Sequence, residues 1–250
     1  MDIRYMISAD FGQTFDYTAV AAVERRLTPV GQPYQGYYYE QGGSRSGRRV
    51  YEVRQNVETT YDVIRLDRVP LRTSYTKVAT GLVKLLKEFH KAHVEADEYD
   101  GQPVTVGLAV DEGGVGRAVR DILVKEIEES IEKGRPHVRF IPVTVTGGTA
   151  TTTGQGWVHV PKRDLISAGL VAYQNGLLRV GDLRHRDTLE NELKNYRLKQ
   201  NIATGHAAFE PLRSGQHDDL LFAVCLGCWA WEQATAKKKY IAFPNQILAH

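Results

Sequence analysis

Only two cysteines occur in the 250 residues, Cys225 and Cys228, one helical turn apart inside an apolar run. A structural zinc site takes about four ligands, and no second Cys/His pair at suitable spacing accompanies them. A redox dithiol opens a helix after a strand, whereas this pair lies within one. That leaves two buried, reduced thiols and points to a cytoplasmic protein. Long hydrophobic runs are also missing: none reaches the roughly 18–20 residues that span a bilayer. The N-terminus has a strand pattern without a basic segment or cleavage site, so no secretory leader is expected. Charge of one sign is scarce as well. With Lys+Arg 32 against Asp+Glu 30 the net charge is +2, which gives no bulk attraction to nucleic acid but leaves room for a local basic track.

A hydrophobic content of 42% with 25% charged residues suits a single α/β domain with a real core. Residues 1–250 are read as one domain, with a core over about 3–232 and a peripheral tail over 233–250. Residues 5–10, 17–24 and 34–40 read as strands, the first two joined by the turn-like Gly12–Asp16, which implies antiparallel pairing. The polar segment Gln41–Arg49 reads as a mobile loop, followed by extended pieces at 50–55 and 61–69. Apolar spacing predicts a helix over 75–92, strand 104–110, a helix from Val115 to Ile131 and strand 137–145. Strands separated by helices argue parallel pairing. Residues 147–156 read as a loop, Pro161 opens a helix to Gln174, and Leu177–Val180 is a short strand. Asp187 with Glu190 reads as a capping pair for helix 188–195, and a final helix starts near Asp218. The result is a mixed central sheet, antiparallel first and then parallel, flanked by helices.

Within this frame aspartates fall at three separated points. Asp10 ends the first strand, Asp111 ends the central one, and Asp218-Asp219 opens the apolar helical run Leu220–Trp231. Hard divalent cations take oxygen ligands, so a site built from Asp suits Mg²⁺ or Mn²⁺. Two such ions about 3.5–4 Å apart can activate water and stabilise the leaving oxygen of a phosphodiester. Asp10, on a rigid strand, is the candidate bridging ligand. Taken singly, each residue has an ordinary reading: Asp10 starts a turn, Asp111-Glu112 caps a helix, Asp218-Asp219 favours a helix dipole. The functional reading gains because all three must otherwise coincide.

These residues resemble the nuclease domain of tailed-bacteriophage large terminases, over roughly residues 3–232. The resemblance is carried by Asp10 with Gly12, Asp111-Glu112-Gly113-Gly114-Val115-Gly116, Pro161-Lys162-Arg163-Asp164-Leu165, and Gly215-Gln216-His217-Asp218-Asp219-Leu220. It implies a ribonuclease H-like fold and an endonuclease that cuts double-stranded viral DNA with little sequence preference during packaging. It also implies Asp10, Asp111 and Asp219 as metal-binding carboxylates with Asp218 beside them, and Mg²⁺ or Mn²⁺ as the metal. His217 is at most a helper, since surface histidines are usually only structural. Contacts to DNA are expected on Lys162 and Arg163, with Lys199, Arg213 and an arm of Arg45, Arg48 and Arg49 as further candidates. The implied partners are a terminase ATPase domain, a small terminase subunit and the portal, in the host cytoplasm. No Gly-x-x-x-x-Gly-Lys-Ser/Thr phosphate loop occurs: Gly147–Gly156 lacks the lysine and Gly42–Arg49 the spacing, so no ATPase motor is expected in these residues. The segment 33–70 exceeds what a minimal fold of this type needs.

Other readings remain open at this point. A Holliday-junction resolvase or transposase would share the fold. A sugar- or acetate-kinase-like ATPase would use Asp10-Phe11-Gly12-Gln13-Thr14 and Asp111-Glu112-Gly113-Gly114 as phosphate-binding turns, but leaves His217-Asp218-Asp219 unused. A non-catalytic DNA-binding module would bind without metal-dependent cleavage.

Overall fold

A computed structural model describes residues 3–12, 16–40, 48–95, 105–131, 137–154, 156–200, 207–211, 218–234 and 240–244. In chain order the elements are β1 (Ile3–Asp10), β2 (Thr18–Glu40), β3 (Arg48–Val69), α1 (Tyr75–Val94), β4 (Thr105–Asp111), α2 (Gly116–Ile131), β5 (His137–Thr146), β6 (Thr152–Gly154), β7 (Trp157–Pro161), α3 (Lys162–Gln174), β8 (Leu178–Val180), α4 (Arg186–Asn195), β9 (Tyr196–Gln200), β10 (Ala207–Pro211), α5 (Asp219–Ala234) and β11 (Tyr240–Pro244). They divide into two compact units, Met1–Arg25 with Tyr61–Thr235 and Arg26–Thr60 with Ala236–His250.

In the larger unit the hydrogen-bonded order is β3-β2-β1-β4-β5-β7-β6, with β8 beside β3. β1 and β2 are antiparallel, whereas β1, β4, β5 and β7 run parallel. This is the mixed sheet that the sequence implies, and the reason is the order of elements: β2 follows β1 with no helix between them and pairs antiparallel, while α1 and α2 carry the chain across the sheet for parallel return.

Side chains of a strand alternate between faces, and the alternation separates two cores. Tyr5, Ile7 and Ala9 of β1 join Val106, Leu108 and Val110 of β4 in a core with α1 and α2. Met6 and Ala109 belong to the other, with α3, α4 and α5. On that second face the Ser8 hydroxyl donates to the Ala223 carbonyl of α5 at 2.7 Å.

Helix α5 is buried continuously from Asp219 to Trp231, as expected of a helix apolar all round. Small residues let it sit close. A Cβ on Gly227 would stand 2.9 Å from Ser8 Oγ and 3.1 Å from Val23 Cγ2, and one on Gly169 of α3 would collide with Cys225 Sγ. The indole N–H of Trp231 donates to the Val23 carbonyl at 3.4 Å, with the Arg25 guanidinium 4.5 Å from its ring. Cys225 and Cys228 are buried free thiols. Burial pushes Cys225 well up, and burial with the charge of Glu232 pushes Cys228 up to about 12, so neither is a reactive thiolate.

Several local expectations change. The strands expected at 17–24 and 34–40 are one strand of 23 residues, and the pieces at 50–55 and 61–69 are one of 22. Gly31 and Pro33 look like a break, but the strand passes through with Gly31 at φ 71, and the Gln55 side-chain amide donates to its carbonyl at 3.0 Å. Cross-strand partners override local turn chemistry there. Part of the Thr-rich stretch read as a loop is β6, which pairs antiparallel with β7. In the smaller unit, Tyr240–Pro244 within the expected tail is a strand that pairs with Glu52–Asn56 of β3. The expected Asp187–Glu190 capping pair is absent: α4 has His185 at its N-cap with no side-chain cap, and Glu190 bonds Arg186 and Lys194 instead. Of the segment Gln41–Arg49, read as a mobile loop, Arg48 and Arg49 open β3 instead, and residues 41–47 lie outside the described residues.

Candidate active site

Alternation along the strands explains why distant aspartates meet. Met6 and Ser8 face α5, so Asp10 does too; Ala109 faces the same core, so Asp111 does as well. The parallel register pairs Ser8 with Ala109 and Ala9 with Val110, and its next step sets Asp10 beside Asp111. Helix α5 crosses this face with Asp218 and Asp219 at its start. The Ser8–Ala223 bond fixes that start near the strand ends, because Ala223 lies about one turn beyond Asp219.

The glycine turn after β4 shapes Asp111. Its Oδ1 accepts the Gly113 N–H at 2.8 Å, and the Val145 N–H from β5 also bonds the carboxylate. A Cβ on Gly116 would overlap the Asp111 carbonyl oxygen, and Gly114 has φ 55. Glycines at 114 and 116 therefore let the chain fold tightly into α2. The next residue, Glu112, is buried and pairs with Arg120 at 3.0 Å.

The carboxylates repel. Burial, then the charges of Asp111, Asp218 and Asp219, push Asp10 up to about 8, with Lys162 opposing. Burial also raises Asp111, against the pull of the Gly113 and Val145 N–H groups and of Lys162. An acidic group held this far from its ordinary value marks a place where negative charge awaits compensation.

Two cations already compensate part of it. Lys162, at the start of α3, places its ammonium 3.2 Å from Asp218, which also accepts the Tyr196 hydroxyl at 3.1 Å. Arg68 of β3 forks onto Asp219, Nε to Oδ2 at 2.8 Å and Nη2 to Oδ1 at 2.9 Å. The same Nη2 reaches Glu192 of α4 at 2.7 Å, and the other Glu192 oxygen accepts the Leu221 N–H at 2.8 Å. Burial comes first in raising Glu192 to about 7, opposed by the Leu221 N–H and Arg68, while the charges of Asp219 and Asp218 add to the rise.

Asp10, Asp111, Asp218 and Asp219 thus converge on one face of the sheet. Lys162, expected on DNA, lies within the cluster. Arg163 pairs with Asp164 at 3.2 Å and donates to the Thr149 carbonyl at 3.3 Å. His217, Arg213 and Arg45 lie outside the described residues, as do the side chains of Lys199 and Arg48. Arg49 stacks on Tyr37, 4.6 Å from its ring centre, in the smaller unit. Arg68, Glu192 and Tyr196 escaped the sequence reading. Glu192 left one usable trace: it sits among Leu189 and Leu193 on the buried face of α4, and a carboxylate there needs a partner.

As a donor set the carboxylates suit a hard divalent cation, which takes oxygen ligands and favours ionised neighbours. In the arrangement observed, no three His, Cys, Asp or Glu side chains among the described residues are grouped to hold a metal ion. The two oxygens of Asp219 are instead committed to Arg68.

No protein-family model and no curated protein matches the sequence. Solved structures do match. The human cytomegalovirus terminase nuclease domain, soaked with Mn and inhibitor-bound, superposes with a TM-score of 0.53 at 13% identity, covering 95% of this chain and 86% of that one. The same domain soaked with Mn alone gives 0.50 at 11% identity over 95% and 87%. A third structure of it gives 0.50 at 14% over 94% and 86%. The chain has the ribonuclease H-like fold of terminase nuclease domains.

Proposed function

We propose that the chain is a divalent-metal-dependent endonuclease that hydrolyses double-stranded viral DNA with little sequence preference during genome packaging. The observation that carries this reading is the convergence of Asp10, Asp111 and Asp218-Asp219 on one sheet face, with Asp10 pushed up to about 8. The fold shared with viral terminase nuclease domains supports it. Asp10, Asp111, Asp218 and Asp219 would hold Mg²⁺ or Mn²⁺, which would supply neutralisation of the phosphate charge and activation of water.

The chain's own residues have separable tasks. Asp10 is assigned as a metal ligand at the centre of the cluster, since Asp111, Asp218 and Asp219 are all close enough for their charges to act on its carboxyl. Asp111 is a fixed ligand, aimed by the Gly113 and Val145 N–H groups. Asp219 and Asp218 complete the set. Lys162 supplies a counter-charge for a scissile phosphate, and Arg163, beside the Thr149 carbonyl, meets the DNA backbone. Terminase-type partners follow from the same reading: an ATPase domain, a small subunit and a portal, in the host cytoplasm. Among the described residues no helix is long and apolar enough to cross a membrane.

Plasmid nicking in Mg²⁺, Mn²⁺ and chelator tests the proposal. The wild-type chain should nick in Mn²⁺ and stop with chelator, and Asp10→Ala should fold normally and lose cleavage. Nicking by Asp10→Ala at the wild-type rate would overturn the assignment. Cutting confined to branched DNA would favour a resolvase of the same fold.

A further inference from the structure

Arg68 stands near the end of β3, two residues after Leu66 of the α5-side core. Its fork engages both oxygens of Asp219, and the same guanidinium reaches Glu192. The three side chains are largely shielded, at 18% exposure for Arg68 and 8% for each carboxylate. The ring of Tyr17 lies 5.4 Å from the guanidinium carbon. Glu192 is tied in turn to the Leu221 N–H in the first turn of α5.

We infer that Arg68 is a built-in counter-cation that competes with divalent metal for Asp219, so that it sets the metal concentration at which the site loads. The inference rests on the metal-dependent reading above. A planar guanidinium on both oxygens of a carboxylate is a strong, oriented pair. A cation arriving at Asp219 meets that positive charge where water screens it little. Metal loading therefore requires the Arg68 guanidinium to move off Asp219. Glu192 gives it somewhere to remain: when Asp219 turns to the metal, the guanidinium still has a carboxylate anchored on α5.

A purely structural Arg68, one that only ties β3, α4 and α5 together, makes the opposite prediction. Its removal would weaken the fold and leave metal affinity equal or lower.

The test is Mn²⁺ binding to the full chain, followed by loss of the free-ion paramagnetic resonance signal, for wild type, Asp10→Asn, Arg68→Gln and Arg68→Lys. Wild type should bind and Asp10→Asn should bind far more weakly. Arg68→Gln should bind about tenfold more tightly than wild type, a usual size for the coupling of two linked binding events, with Arg68→Lys in between. Equal or weaker binding by Arg68→Gln overturns the inference and leaves the metal site standing. No binding by wild type removes the metal-dependent reading, and the inference with it. If Arg68→Gln does not fold, the wild-type Arg68 Nε–H resonance decides. Mg²⁺ should shift it away from its carboxylate-bonded position, and an unmoved resonance at saturating Mg²⁺ overturns the inference.

Discussion

The Ser8 hydroxyl bonds the Ala223 carbonyl at 2.7 Å, two residues before Asp10 and about one turn after Asp219. This bond ties the strand that ends in one candidate ligand to the helix that begins with two others. Ser8→Ala should cost about 1 kcal/mol, the ordinary net worth of such a bond. A urea titration checks it, through a lower midpoint at unchanged slope. An unchanged midpoint would mean that apolar packing alone holds α5 on β1.

Two glycines should respond in opposite directions. Gly81 lies exposed within α1, and a Cβ there would have nothing within 4 Å of it, so Gly81→Ala should stabilise the chain by about 0.5–1 kcal/mol. A Cβ on Gly227 would instead press on Ser8 Oγ at 2.9 Å and Val23 Cγ2 at 3.1 Å. Gly227→Ala should therefore destabilise by about 1–3 kcal/mol through overpacking. Thermal melts of the two variants side by side give the signs, and a gain from Gly227→Ala would show that α5 can slide on the sheet.

The raised Asp10 carboxyl makes stability depend on pH. Its value rises from 3.8 to about 8 on folding, so between those limits the folded chain holds a proton that the unfolded chain releases. Stability from this group is full below pH 3.8 and declines as pH rises through the window, reaching its floor above about 8. An asparagine side chain cannot ionise, so metal-free Asp10→Asn should melt higher than wild type at alkaline pH, on the order of 5 °C. The difference should shrink as pH falls toward 5. Metal should reverse the order, because a cation stabilises the ionised wild-type cluster and finds no charge on the amide of the variant. A melting difference independent of pH would detach Asp10 from the cluster.

Calorimetry gives a separate check on the same linkage. At pH 7, where Asp10 is mostly protonated, Mn²⁺ binding should release about one proton or more. Heats measured in buffers of different ionisation enthalpy would report it, and the release should fade above pH 9. Proton-neutral binding at pH 7 would place the ion away from Asp10.

Legibility in the sequence followed the range of the forces involved. Apolar spacing gave α1, β4, α2 and β5, and Pro161 marked the start of α3, since each signal lies in the element's own residues. It failed where pairing partners decide. The long strand through Gly31 and the short β6 hold their form because of what lies across the ladder, and a local reading takes their glycines and threonines for loops.

The sequence by itself determined that Asp10, Asp111 and Asp218-Asp219 stand at strand ends and a helix start, because apolar strands buried on both faces and an all-apolar helix are written in consecutive residues. Only the tertiary structure decided what surrounds them. Arg68 and Glu192 are 124 residues apart in the chain and meet Asp219 through side-chain geometry, and Lys162 meets Asp218 across 56. An isolated charge in a strand or helix carries no mark of its partner, since charge pairing acts through space and becomes strong only once folding has removed the water.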